Sequence, residues 1–176
     1  MNQFISYCVL KYRPDAVTGE FINVGVTVYA PESRYIGFKH TTSSLRAERL
    51  LSDCAKCIRF NSKQSVGPLT GGVKNLFVKS WTSNLIESLK LIAKGFENLT
   101  ERLSVESLGK HDAQSLATMV LPRDDSSLQW GEAKGGFSEN PATVLDELFA
   151  RLVPSAETDK ERQGRELLIP QRQSKT

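Results

Sequence analysis

One segment, Glu20 to Tyr29, constrains the fold more than any other part of this sequence. Its aliphatic residues recur at every second position, separated by smaller or polar residues. The aliphatic positions are Ile22, Val24, Val26 and Val28. Because side chains alternate between the two faces of a strand, this period of two predicts a β-strand with one aliphatic face directed into the core.

Two more strands are predicted beside this segment. Residues 4–12 are rich in aromatic and β-branched types, and residues 34–39 form a shorter run. Pro14 and Gly19 bracket the loop between the first two strands, and Pro31 opens the turn before the third. Together the three strands predict an antiparallel meander.

The middle of the chain has helical spacing. A first helix is predicted from a cap at Ser43 or Ser44 to Ile58. A longer amphipathic helix carries apolar residues at steps of three or four. These residues are Phe77, Trp81, Leu85, Leu89, Ile92 and Phe96. Residues 105–119 predict a weaker helix, which Pro122 ends.

Strand and helix signals alternate once more toward the end of the chain. Residues 128–133 predict one later strand, and Gly135-Gly136 predicts a turn. Asn140-Pro141 predicts the start of a last helix, because proline is favoured at the first helical position. Pro154 ends that helix.

The order of these elements indicates the fold class. Strands first and helices later, without βαβ alternation, predict an α+β fold. We expect a small antiparallel sheet, made of the N-terminal meander and one later strand, packed against two to three amphipathic helices on one face. The 176 residues suit one domain, predicted over residues 1–154. Residues 155–176, dense in charge of both signs, predict a flexible tail.

Composition narrows the class of protein. Hydrophobic residues make up 39% and charged residues 24%, which is ordinary for a globular domain. The net charge of +3 permits a nucleic-acid partner without indicating one. No secretory signal and no apolar stretch of ~20 residues is recognisable. Three cysteines, an odd number, do not suggest a disulfide framework. We therefore expect a cytoplasmic protein.

Two motifs are more specific than the composition. The first is Tyr12-Arg13-Pro14-Asp15 followed by Gly-Glu-Phe-Ile-Asn-Val-Gly-Val at residues 19–26; the second is Asn140-Pro141 with Leu-Asp-Glu-Leu-Phe at residues 145–149. Over residues 3–154 the chain resembles the bacterial domain-of-unknown-function family 3037. The resemblance implies a small bacterial accessory protein in a toxin–antitoxin or phage-defence setting, with a HipA-like kinase as partner.

The first motif also contains the leading candidates for a catalytic site, which are Glu20, Asp15, Arg13 and Asn23. In an enzyme, Glu20 acts as a general acid or base whose pKa is set by Arg13 and Asp15, and the activity is hydrolase or nuclease-like. Strand parity predicts a partly buried Glu20. In the structural interpretation, which we favour, Glu20 pairs with Arg13 across the hairpin mouth. Asn23 then bonds to the backbone near the loop, and Gly25 allows a bulge or close packing.

A metal site is the next hypothesis. Cys54-x-x-Cys57, with Cys8 and His40, has the donor types of a tetrahedral zinc site. The spacing of three residues is also typical of the buried face of an amphipathic helix, and no second Cys-x-x-Cys is present. We favour the buried face, and we expect no metal and no cofactor.

Two segments bear on partners. The first predicted helix has a basic face, the basis of a nucleic-acid-binding alternative, although it lacks interleaved aromatic residues. Its residues are Arg46, Arg49, Lys56 and Arg59. In the tail, Leu167, Leu168 and Ile169 are candidates for a partner-binding element. Our leading hypothesis is a non-catalytic accessory or interaction protein that acts with a protein partner.

Overall fold

A computed structural model describes residues 2–14, 19–43, 47–48, 71–102, 111–123 and 127–153. It confirms the α+β fold. The described elements are β1 (Gln3–Tyr12), β2 (Ile22–Ala30), β3 (Tyr35–His40), α1 (Gly71–Arg102), α2 (Ala113–Val120), β4 (Leu128–Trp130), β5 (Lys134–Ser138) and α3 (Pro141–Leu152). Most of the first predicted helix lies outside these residues, and so does the tail.

The five strands form one antiparallel sheet in the order β3-β2-β1-β4, and β5 also pairs with β1. The predicted meander is therefore confirmed. β4 pairs with the end of β1, and β5 pairs with its beginning. Between them the amide of Gly131 donates to the carbonyl of Val9 at 2.8 Å. β4 and β5 thus run along β1 as one interrupted strand.

The predicted turn at Gly135-Gly136 is wrong, because both glycines lie inside β5. Pairing with β1 overrides the turn preference of the dipeptide. Gly135 lies opposite Ser6, and a side chain at Gly135 would come within 2.9 Å of the Phe4 ring. Glycine at this position therefore makes room for an aromatic ring of the neighbouring strand.

The prediction that the aliphatic residues of β2 share one face is also wrong. Leu10 pairs with Gly25 and Lys11 with Asn23, so Val24 is an extra residue opposite β1. Such a bulge reverses the side-chain alternation beyond it. Val24 consequently packs in one core cluster, and Val26 and Val28 pack in another.

Because both faces of β2 are apolar, helices cover the sheet on both sides rather than on one. The larger cluster joins β1, Tyr29 and Trp130 to α1 and α2. Four of the predicted residues of α1 lie in it, at the expected helical spacing: Leu85, Leu89, Ile92 and Phe96. The smaller cluster joins β1 and β2 to α3 on the opposite face.

The ends of the shorter helices follow from local chemistry. Asp112 caps α2 by accepting from the amide of Ser115 at 2.7 Å, and the hydroxyl of Ser115 accepts from the amide of Asp112 at 2.9 Å. Asn140 caps α3, and Pro141 is its first residue, as predicted. Among the described helices, none has the length and apolar character needed to cross a membrane.

Candidate functional site

Asn23 of the first motif links the beginning of the chain to its last helix. Its amide nitrogen Nδ2 donates to the carbonyl oxygen of Leu152 at 2.9 Å, across 129 positions in sequence. The last carbonyl groups of a helix have no partner within that helix. Asn23 therefore completes the C-terminal end of α3. It bonds to backbone, as the structural interpretation expects, but to the last helix rather than near the loop.

Gly25 is required by packing on the larger core cluster. A Cβ atom at this position would lie 2.8 Å from Cε2 of Phe38 and 3.2 Å from the carbonyl oxygen of Lys39. The Phe38 ring also stacks on Phe96 with centroids 5.0 Å apart. Gly25 thus lets β3 and α1 share an aromatic contact directly over β2.

The second motif meets the first on the opposite face of the sheet. Leu145 and Leu148 of α3 pack with Val26 and Val28. Lys39 of β3 binds Asp146 at 2.7 Å. We call these contacts, together with the bond from Asn23 to Leu152, the motif interface. The residues that carry the family resemblance therefore hold α3 against the sheet.

The proposed catalytic group is not assembled in the described residues. β2 begins at Ile22, so Glu20 lies before the strand and is exposed rather than partly buried. The backbone amide of Arg13 donates to the carbonyl of Ser127 at 2.7 Å. Arg13 and Glu20 are both described, and no salt bridge joins them. Asp15 lies outside the described residues, so the hydrolase or nuclease-like activity stays a prediction.

The structure does not bring Cys8 and His40 together. They lie on β1 and β3, with β2 between them and an offset of two residues along the strands, so their backbones are about 12 Å apart. The Cys8 thiol donates to the carbonyl of Ala113 at 3.7 Å, and Nδ1 of His40 lies 2.9 Å from the carbonyl of Thr41. Burial, helped by the charge of Asp112, raises the pKa of Cys8 to about 12, which disfavours the thiolate that binds metals.

Other predicted site residues lie outside the described part of the chain. These are Cys54, Cys57 and the tail residues Leu167, Leu168 and Ile169. Within the described residues, no group of three or more His, Cys, Asp and Glu side chains could hold a metal ion. The nucleic-acid alternative stays a prediction too, since the basic residues of the first predicted helix are not described.

A cleft that the sequence did not predict lies between α1, α2 and the start of β4. Its volume is about 660 Å³, within the range of ~300–1,000 Å³ that is usual for binding pockets. Its apolar lining comprises Leu85, Ile92, Leu99, Val120, Leu121 and Leu128, and its polar lining includes Asn84, Ser88, Asn98 and Ser127. The described lining residues are all uncharged. We call this surface the helix cleft.

Two exposed apolar residues stand at the rim of the helix cleft. Leu91 of α1 is 70% exposed and Met119 of α2 is 51% exposed. The two helices approach each other at Gly95, where an added Cβ would lie 2.5 Å from Cγ1 of Val120. In the sequence, Leu91 indicates this surface, because it lies off the apolar stripe that packs α1 on the sheet.

The model of the family DUF3037, described as a protein of unknown function, matches residues 7–153. The chain belongs to the DUF3037 family. The match covers both motifs and every described element apart from the first residues of β1. The family resemblance predicted from the sequence is therefore confirmed.

No curated protein matches this DUF3037 chain, and no solved structure matches it either. The chemistry of its surfaces is then the basis for a function. In this DUF3037 protein residues from both motifs meet at an internal interface, whereas the helix cleft has exposed apolar side chains at its rim.

Proposed function

We propose that this DUF3037 protein is a non-catalytic accessory protein that binds an apolar, uncharged segment of a protein partner in the helix cleft. The observation that carries the proposal is the exposure of Leu91 and Met119 at the rim of an apolar cleft. Large exposed apolar side chains grouped at a concave surface are typical of protein-binding sites. The location expected from the sequence, the cytoplasm, is part of this proposal.

The rim favours a protein segment over a small molecule. A small ligand inside the cleft leaves Leu91 and Met119 in water, whereas a helix or extended segment lying across the cleft covers both. Methionine suits such a surface because its flexible, polarisable side chain adapts to different apolar partners. The amide and hydroxyl groups of Asn84, Asn98 and Ser127 supply hydrogen bonds without requiring charge on the partner.

The identity of the partner is a further part of the proposal. The family resemblance implies a toxin–antitoxin or phage-defence setting and a HipA-like kinase, so a kinase of this type from the native host is the first partner to test. An apolar segment on its surface should fit the uncharged lining of the helix cleft.

The test compares one double variant and one single variant of the tagged protein with wild type. The variant Leu91→Glu with Met119→Glu places two carboxylates at the rim, and Phe21→Glu is the control. Phe21 is 50% exposed and contacts Lys11. Tyr12 lines the cleft, and neighbouring side chains of a strand alternate, so Lys11 and Phe21 lie on the opposite face of the sheet.

We expect wild type and the Phe21→Glu variant to retain the same stoichiometric partner from the native host, and the rim variant to lose it. The purified partner must then bind wild type directly in a reconstituted mixture. Equal retention by all three proteins contradicts the proposal, and so does the absence of any partner that reconstitutes. Circular dichroism establishes that the variants are folded.

A further inference from the structure

The edge strand β5 is a second surface without a described neighbour. It pairs with β1 on one side, and among the described residues no strand lies on its other side. Natural sheets protect such edges with charges, prolines or bulges, since the free amide and carbonyl groups pair readily with another strand. Within β5 the only charged residue is Lys134, at its first position.

On one face of this edge a bulky side chain, Phe137, stands next to a position without a side chain, Gly135. Phe137 is 75% exposed, and it packs edge-on against Phe4, with ring centroids 5.7 Å apart. Gly135 and Gly136 occupy the two positions before it. A Cβ at Gly136 would meet nothing within 4 Å, so the face of the sheet at that position is open.

We infer that β5 pairs antiparallel with β5 of a second copy of this chain, about a two-fold axis at Gly136. A two-fold axis normal to the sheet keeps each face on its own side, so only residues of the same parity lie opposite each other. The register centred on Gly136 overlaps all five residues of β5, whereas neighbouring registers of the same parity overlap fewer.

This register is self-complementary in shape. It places Phe137 opposite Gly135 of the second copy, so the exposed ring covers a position that has no side chain. The same ring reaches the Phe4 ring of the second copy, which already lies against that glycine. A two-fold cluster of four phenylalanine rings results, and aromatic pairs in edge-on contact are favourable.

This register also keeps like charges apart. Lys134 lies opposite Ser138 of the second copy, so the two Lys134 residues are offset by four positions, about 13 Å along the strands. A five-residue edge with one aromatic cluster buries less than the ~1,200 Å² that is the lower bound for stable complexes. We therefore expect a reversible, concentration-dependent dimer.

Sedimentation velocity over a range of concentrations tests the dimer. Wild type should shift from monomer to dimer as concentration rises, and Phe137→Glu should raise the dissociation constant by about tenfold or more. Phe21→Glu is the matched control, at an exposed aromatic residue outside β5, and should dimerise like wild type. A wild type that stays monomeric at every concentration overturns the inference, as does a dimer that Phe21→Glu abolishes and Phe137→Glu preserves.

Disulfide trapping tests the register independently of whether Phe137→Glu folds. In a background with Cys54→Ser and Cys57→Ser, Gly136→Cys places two thiols opposite each other, within reach of a disulfide. Mild oxidation should give a covalent dimer. Lys134→Cys, whose two thiols are about 13 Å apart in this register, should not. Equal trapping of both variants, or trapping of neither, contradicts the two-fold register.

Discussion

The motif interface and the helix cleft lie on opposite faces of the same sheet, and they differ in how completely their apolar side chains are covered. At the motif interface the leucines of α3 pack on the valines of β2, and the end of the helix is bonded by Asn23. At the helix cleft, Leu91 and Met119 remain in water beside a cavity whose described lining residues are uncharged. Residues of the two motifs that carry the resemblance therefore hold α3 against the sheet, and the exposed apolar residues lie elsewhere.

The largest expected effect separates the two regions by stability. Leu148→Ala removes a buried side chain from the smaller core cluster and should lower the free energy of unfolding by about 2–5 kcal/mol. Leu91→Ala makes the same chemical change at the cleft rim and should change it by less than about 0.5 kcal/mol. Urea unfolding of both variants measures the difference. Equal losses would show that the helix cleft is filled and packed like a core.

Asn23 gives the next largest effect. Asn23→Ala removes the bond to the Leu152 carbonyl at the end of α3, so we expect a loss of about 1–2 kcal/mol in the free energy of unfolding. Asn98→Ala, at the cleft, is the matched control and should have little effect. Hydrogen exchange should also show faster opening of the last turn of α3 in the first variant alone. If that turn is unchanged, Asn23 has another role.

The fold and the helix cleft show where prediction from the sequence succeeds and where it stops. Strand alternation and helical spacing located β2, α1 and the start of α3, because these signals are local. The bulge at Val24 arises where β2 pairs with β1, and Gly135 lies in β5 where it makes room for the Phe4 ring of β1. Both features depend on contacts between strands, so the local sequence pattern does not predict them. The helix cleft was missed because its lining comes from distant segments and contains no motif.

The larger core cluster should also make stability depend on alkaline pH. Burial raises the pKa of Cys8 from 9.0 to about 12, so the unfolded thiol ionises first. The contribution of the buried Cys8 thiol to the free energy of unfolding is complete below pH 9. It is lost as pH rises from 9 toward 12, at no more than about 1.4 kcal/mol per pH unit. Burial also raises the pKa of Tyr29 and Tyr35, which adds to the loss in the same direction.

Unfolding measured between pH 8 and pH 11 on wild type and Cys8→Ala isolates the thiol. The slope should be shallower in the variant. Native wild type should also resist thiol reagents at Cys8, with modification at that site appearing only on unfolding. Rapid modification of Cys8 in the folded protein at neutral pH would contradict the burial of the thiol.

The smallest effect is expected at the exposed margin of the motif interface. Lys39 and Asp146 form a salt bridge in which both side chains are largely exposed. Such pairs contribute about 0–1 kcal/mol, so Asp146→Asn should lower the free energy of unfolding by less than about 0.5 kcal/mol, and added salt should remove the difference. A loss comparable to that of Leu148→Ala would assign this pair a larger role in holding α3.

Site-specific photo-cross-linking in the native host tests the central claim most directly. A photoreactive phenylalanine replaces Leu91 at the helix cleft in one variant and Phe21 on the other face in a second. We predict that position 91 cross-links to an apolar segment of one partner protein and that position 21 does not. Cross-linking of position 91 to this chain alone, or equal cross-linking at both positions, would contradict the assignment of the helix cleft to a protein partner.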